Sequence, residues 1–317
     1  MSESIGRIIV TGGTGFIGRA LVRNLVEAGY DVVVLSRSTA SGGRGRAVFL
    51  EWDGRTSAGW AETASGALGL INLAGENIAA GRWTKKRRNA ILQSRIWAGE
   101  AMVEAVGRAA VKPQVLVQAS AIGFYGPRRE DRLDEWSKRG EGFLADVVDL
   151  WERSTRPVVD FGVRRVVIRS GIVLGPEGGA FPRLLLPFKL FAGGPLGKGG
   201  RRFSWIHLKD EVRAIRFLLD NRQAAGEFNL TAPGPVRQRE FARLLGRAIG
   251  RPSWLPVPPI VLYAMFGTMA GQTLLADQAA FPTRLLEAGF RFDFPELEPA
   301  LQDLTKGSGL EAGRTNR

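Results

Sequence analysis

Short runs of β-branched and other apolar residues alternate with longer amphipathic segments over the first half of the chain. Ile8-Ile9-Val10 runs into glycines, and from Ile17 to Ala28 the apolar residues recur at helical spacing. The alternation continues with Val32–Leu35, Ala47–Leu50, Leu70–Leu73, a long helical stretch from Lys85 to Ala109, and Val115–Val117. A helix over 140–154, with Phe143, Val147, Leu150 and Trp151 on its apolar face, then precedes Val166–Ile168. Nearly continuous apolar strands separated by helices imply strands buried on both faces. The pattern therefore predicts an α/β fold built on a doubly wound parallel sheet.

From about residue 176 the pattern changes. GPEGGAFPRLLLPFKLFAGGPLGKGGRR is rich in Gly and Pro and lacks period-two alternation. A helix near 209–221 and a strand at Phe228-Asn229-Leu230 are expected to return to the sheet, and beyond 236 the chain reads as mainly helical. The expected organisation is a nucleotide-binding domain over 1–175, joined by 209–232, and a smaller, mainly helical substrate lobe over 176–208 and 233–304. The polar, glycine-rich 305–317 reads as a disordered tail. LPVPPIVLYAMFGTMAGQTLLA, at 255–276, is uncharged and about membrane length, but its prolines and glycines favour a buried helix or helix pair over a span.

Composition narrows the chemistry. There is no cysteine and one histidine, His207, so disulfides, thiolate sites and an ordinary zinc site are not expected. The N-terminus lacks the pattern of a signal peptide, so a cytoplasmic setting is the default expectation. The net charge is +13, with the densest run at Lys85-Lys86-Arg87-Arg88. No nucleic-acid motif accompanies that run, so neither nucleic acid nor a membrane is expected as partner. The charge suits an anionic cofactor or substrate instead.

The strongest motif is VTGGTGFIG, lying between the first strand and the first helix, the setting a dinucleotide fingerprint requires. Gly13, Gly15 and Gly18 fit one glycine spacing; Gly12, Gly15 and Gly18 fit another. Either way, glycine lets backbone N–H groups approach a pyrophosphate at a helix N-terminus. This makes the sheet Rossmann-type. After the second strand stand Ser36 and Arg37, where an NAD site usually carries an acid for the ribose 2′-hydroxyl. A hydroxyl and a guanidinium suit a 2′-phosphate, so NADP(H) is the expected cofactor.

VTGGTGFIG, INLAG, SAIGFYG and FSWIHLKDEV together resemble the extended short-chain dehydrogenase/reductases, the group of sugar-nucleotide epimerases and dehydratases. INLAGENIAAGRWT, LQSRI and RLLEAGFRFDFPELEPAL further resemble an epimerase-like subgroup with a small C-terminal helical domain, sometimes labelled cell-division-inhibitor-like. The resemblance covers about residues 5–304. It implies that Gly12, Thr14, Gly15, Phe16 and Ile17 surround the pyrophosphate. It implies Trp52 and Asp53 near the adenine, and Leu73, Ala74 and Gly75 lining the cofactor. Ser120 matches the active-site Ser/Thr. Arg95, Tyr125, Ser204, Trp205 and His207 would face the substrate cleft, with Arg95 counted among the cofactor residues too.

The larger family completes its site with a Tyr-x-x-x-Lys pair on the next helix, because hydride transfer at a carbinol carbon must be matched by proton transfer at its oxygen. Here GEGFLADVVDLWERS carries neither residue, and none of Tyr30, Tyr125 and Tyr263 has a lysine four residues later. Two readings follow. In one, the chain is an NADP-dependent oxidoreductase acting on a small carbonyl or alcohol, with Tyr125 or His207 as the acid and Ser120 positioning the carbonyl. In the other, it is a non-catalytic NADP(H)-binding regulatory or redox-sensing protein. The cations of GKGGRRFSW point to an anionic substrate or, equally, to a plain surface loop.

Overall fold

The computed structural model describes residues 4–37, 45–128, 132–267, 269–273 and 276–306. Its strands are β1 (Arg7–Thr11), β2 (Asp31–Ser36), β3 (Ala47–Glu51), β4 (Gly69–Asn72), β5 (Val115–Ala121), β6 (Arg164–Ser170), β7 (Ile172–Gly175), β8 (Gly178–Gly179), β9 (Arg202–Phe203), β10 (Trp205–His207), β11 (Gly226–Leu230) and β12 (Val236–Arg237). Its helices are α1 (Phe16–Glu27), α2 (Lys85–Arg108), α3 (Phe143–Ser154), α4 (Phe181–Lys189), α5 (Leu208–Asp220), α6 (Gln238–Ala248), α7 (Pro259–Phe266), α8 (Met269–Gln272), α9 (Thr283–Glu287) and α10 (Leu297–Thr305).

Seven strands form one sheet in the order β11-β6-β5-β4-β1-β2-β3. The chain runs outward from β1 to β3, then crosses to β4 on the other side of β1. That reversal opens a crevice beyond the carboxyl ends of β1 and β4, where such sheets bind ligands. Register there is parallel, with Thr11 opposite Asn72 and Asn72 opposite Gln118. On one face Ile9, Leu35, Leu70 and Leu116 pack with Ala98, Ala101, Met102, Ala105 and Val106 of α2. The spacing of those α2 residues gives a single apolar stripe, and its alanines let the helix lie close to the sheet.

The chain groups into two compact units. The first comprises the described residues of Met1–Ala121, Asp146–Arg169 and Val212–Phe228; the second those of Ile122–Ala145, Ser170–Glu211 and Asn229–Arg317. Residues 122–145 thus group with the second unit, although the sequence puts them in the nucleotide-binding half. Their described residues form no strand of the large sheet, and Ile122, Tyr125 and Leu133 pack with Ala280 instead. In the second unit a small sheet runs β10-β7-β8, β9 pairs with β12, and Phe203, Trp205, Phe241, Leu245 and Leu301 form the core.

Three expectations change. Leu150 is exposed, because the buried arc of α3 runs through Ala145, Val147, Val148, Trp151 and Glu152. The 255–276 stretch does give a pair of short helices, α7 and α8, but Ile260 and Tyr263 are exposed. No helix among the described residues is long and apolar enough to cross a membrane. Finally, α10 continues through Thr305, at the start of the expected tail, and 307–317 lie outside the described residues.

Candidate functional site

The turn from β1 into α1 is shaped by four glycines. Gly12 has φ +67°, and a Cβ there would lie 2.7 Å from the Leu73 carbonyl oxygen. The Gly15 N–H closes the turn on the Gly12 carbonyl at 2.9 Å. A Cβ on Gly18 would fall 2.1 Å from that same carbonyl oxygen. The working spacing is therefore Gly12, Gly15 and Gly18, while Gly13 leaves room for Val34, 2.7 Å from where its Cβ would be. Gly15 is also the N-cap of α1, with no side-chain cap and no acid in the first turn. The first-turn N–H groups, which have no partner inside the helix, are thus available to an anion. Thr14 and Gly15 are exposed there, and Phe16 and Ile17 half-buried.

Beneath the turn lies a polar ladder that the sequence reading missed. Thr11 Oγ1 donates to Asn72 Oδ1 at 2.7 Å, and Asn72 Nδ2 donates to Gln118 Oε1 at 2.9 Å. All three residues are fully buried. The Ala74 N–H points at both Thr11 Oγ1 and Asn72 Oδ1, at 3.3 Å each, so the ladder holds the Leu73-Ala74-Gly75 turn after β4. The signal available in the sequence was a polar residue closing each of three neighbouring apolar runs.

At the other end of the site, Ser36 is buried and Arg37 exposed where β2 ends. Trp52 and Asp53 follow β3, and both shape their own loop. Trp52 is buried, donates to the Thr56 carbonyl at 2.6 Å and meets Trp60 edge to face. Asp53 Oδ1 accepts from the Arg55 and Thr56 N–H groups, and Oδ2 accepts from the Thr56 hydroxyl. Slight burial opposes ionisation, but those bonds win and hold the carboxyl below its ordinary pKa. Arg95 reaches the turn after β4. It donates to the Glu76 carbonyl at 3.1 Å, lies 4.8 Å from the Trp151 ring centre, and would be only 3.1 Å from a Cβ on Gly75. Burial lowers its pKa to about 10 against the opposing pull of Glu76, so it remains a cation at neutral pH.

The expected proton site looks different. Ser120, at the end of β5, donates its hydroxyl proton to Glu152 Oε1 at 2.6 Å. Glu152, from α3, is clamped by Arg169 of β6, Nε to Oε1 at 2.8 Å and Nη2 to Oε2 at 2.9 Å. All three side chains are buried. The Ser120 hydroxyl therefore has a buried carboxylate as proton acceptor, a partner that its place in the sequence does not reveal. Tyr125 lies in the second unit with no exposed surface, and its hydroxyl donates to Asn229 Oδ1 at 2.8 Å. It is a core residue, not a group facing a cleft.

His207 is also buried in the second unit. Its Nδ1 accepts the Lys209 N–H at 3.1 Å, Nε2 lies 3.3 Å from Asp303 Oδ2, and the ring stacks on Phe294 at 4.0 Å. Burial pushes its pKa down to about 4, against the pull of Asp303, so it is neutral at pH 7. Ser204 and Trp205 are likewise buried; the Ser204 hydroxyl donates to the Gln278 carbonyl. In the cationic loop, Arg202 is paired with Asp277 at 3.0 Å, which weakens the case for an anionic substrate there.

Residues 8–231 match the model of the NAD dependent epimerase/dehydratase family, and residues 257–304 match a domain of unknown function, DUF1731. The chain is 38% identical over 298 residues to an epimerase family protein, YfhF, of Bacillus subtilis, covering 94% of this chain and 97% of the relative. It is 38% identical over 302 residues to the epimerase family protein SDR39U1 of Bos taurus, covering 94% and 99%. Its fold is similar to that of human epimerase family protein SDR39U1, solved with NADPH, with a TM-score of 0.85 and 33% identity over 95% of this chain and 99% of that one. The family resemblance read from the motifs is borne out, including its C-terminal domain.

Proposed function

This chain belongs to the NAD dependent epimerase/dehydratase family, and from that premise we propose that it is an NADP(H)-dependent oxidoreductase of the extended short-chain type. Its substrate in this reading is a small carbonyl or alcohol. The observation that carries it is the glycine turn at residues 12–18, where any side chain on Gly12 or Gly18 would strike backbone. With α1 left uncapped behind it, that turn fits a pyrophosphate. Gly12, Thr14, Gly15, Phe16, Ile17 and Gly18 would hold the phosphates, and Leu73, Ala74, Gly75 and Arg95 would line the cofactor. Ser36 and Arg37 would meet the 2′-phosphate that separates NADP(H) from NAD(H). The solved human relative, crystallised with NADPH, supports the same choice.

NADP(H), when bound, would supply or accept the hydride, which leaves the matching proton to the chain's own groups. Ser120 and Glu152 are the groups of the first unit arranged to carry it. In alcohol oxidation the substrate hydroxyl gives its proton to Ser120 Oγ as Ser120 gives its own to Glu152. Carbonyl reduction runs the same transfers backwards from protonated Glu152. Arg169 holds the carboxylate in place throughout. Tyr125 and His207 take no part.

A separate observation favours a second reading, an NADP(H)-binding regulatory or redox-sensing protein without turnover. Ser120 is only 4% exposed, and Tyr125 and His207, at 0% and 2%, offer a substrate no proton donor. Both readings require the cofactor. Titration with NADPH and NADH, followed by nucleotide fluorescence, tests that requirement. NADPH should bind more tightly, and Arg37→Glu should weaken NADPH by on the order of tenfold while leaving NADH nearly unchanged. Equal affinity for the two nucleotides would remove the NADP(H) assignment, and failure to bind either would remove both readings.

A further inference from the structure

We propose that the second unit carries a membrane-surface docking patch, formed by the end of α4 and the 251–263 segment, that lays exposed apolar side chains on an anionic lipid bilayer. Among the described residues, seven of the fifteen exposed large apolar side chains fall in these two short segments, so the apolar exposure is concentrated and not scattered. Leu186, Leu190 (68% exposed) and Phe191 come from α4 and its end. Trp254 (71%), Leu255, Ile260 (77%) and Tyr263 come from the other segment. Patches of this kind mark contact with another apolar phase.

The two segments are held together. The Leu255 N–H donates to the Gly193 carbonyl at 3.1 Å, Val257 to Pro195 at 3.0 Å, and Gly197 back to Val257 at 2.9 Å. Arg251 sits 4.3 Å over the Phe191 ring. Phe191 has φ +60° and is the one non-glycine residue with positive φ among the described residues. It occupies the position just past a helix end where glycine ordinarily relieves that strain. A bulky aromatic thus stands, strained and exposed, where a small residue would suit the fold better.

Charge identifies the surface beneath. Residues 178–209 hold six Lys or Arg and no Asp or Glu, and residues 241–276 hold three Arg and no acid. Arg202, Lys209 and Arg247 are paired with acids outside these stretches. Lys189, exposed among the apolar residues, and Arg251 remain at the patch. A second copy of this chain is the weaker match, because both stretches that form the patch carry cations and no acid of their own to answer them. Anionic headgroups complement the same arrangement: cations attract the leaflet, and Trp, Tyr and aliphatic side chains enter its boundary. Among the described residues of the uncharged run from 252 to 276 the helices are short, and none is long and apolar enough to cross a membrane, so the proposed contact is with the bilayer surface.

The test is flotation of the full chain with vesicles of phosphatidylcholine alone or mixed with phosphatidylglycerol. Wild type should float with the anionic vesicles, stay behind with the neutral ones, and be released by high salt. Trp254→Ser/Ile260→Ser should bind on the order of tenfold more weakly with an unchanged unfolding midpoint, and Lys189→Glu should shift binding the same way by less. Wild type that fails to float with anionic vesicles would overturn the proposal. So would binding that the double substitution leaves intact, or a dimer in light scattering that it dissolves while vesicle binding persists.

Discussion

The turn at residues 12–18 and the trio Ser120, Tyr125 and His207 make an instructive pair. Both are assembled from residues whose chemistry suits a nucleotide-dependent oxidoreductase. In the turn, glycine keeps space open, and the helix start has no side-chain cap, so hydrogen-bonding capacity is left for a ligand. In Tyr125 and His207 that capacity is turned inward, to Asn229 and to Lys209 beside Asp303, whereas Ser120, donating its proton to Glu152, keeps its oxygen lone pairs for a substrate proton. A residue of the right type does chemistry only if its proton or lone pair is still available to the substrate.

The largest effect should come from filling the turn. Gly18→Val puts a side chain into the Gly12 carbonyl and should abolish measurable NADPH binding, by fluorescence titration, with the rest of the sheet still folded. Retained binding would mean that the turn is not the phosphate site. Next comes the Ser120 network. Glu152→Ala removes the carboxylate that holds the buried Arg169 guanidinium at two of its nitrogens and should cost about 3–5 kcal/mol of stability by denaturant titration. Glu152→Gln should cost less while still removing the proton acceptor.

Two buried groups of the second unit sharpen the contrast through pH. Burial lowers His207 from 6.5 to about 4, so its contribution is full above pH 6.5 and is lost as pH falls towards 4. Burial raises Glu211 from 4.5 to about 8, the Ser170 hydrogen bond opposing, so its contribution is full below pH 4.5 and is lost as pH rises to 8. The two slopes oppose each other between pH 4.5 and 6.5, and above that only the Glu211 slope remains. Stability measured at stepped pH should therefore be nearly level at first and then fall by roughly 2 kcal/mol towards pH 8. Glu211→Gln should flatten the fall. The smallest effect on cofactor binding belongs to Tyr125→Phe, which should leave NADPH affinity unchanged while costing about 1–3 kcal/mol of stability through the Asn229 oxygen that loses its donor.

Much of the fold was legible because buried parallel strands leave an unmistakable trace. Ile8–Val10, Val32–Leu35, Leu70–Ile71 and Val115–Val117 each lie in the strand their apolar runs predict. The glycine turn was legible because backbone geometry acts directly on residue type. The partners of the polar groups were not. Ser120, Glu152 and Arg169 come from β5, α3 and β6, and only packing brings them together. A trace existed even so: Glu152 falls on the buried arc of an apolar helix, and Arg169 closes the run Val166-Val167-Ile168. For Tyr125 and His207, local sequence offered a residue type and a loop but nothing to distinguish a core hydroxyl or imidazole from an exposed one.

The most direct measurement follows NADPH oxidation by the full chain across a panel of carbonyl compounds and quinones, with Ser120→Ala, Glu152→Gln and Tyr125→Phe run in parallel. Turnover with some acceptor class, kept by Tyr125→Phe and lost by both Ser120→Ala and Glu152→Gln, is the predicted result. Turnover lost in Tyr125→Phe but kept in the other two would contradict the account, and the absence of turnover with every acceptor would favour the binding-protein reading over the enzyme.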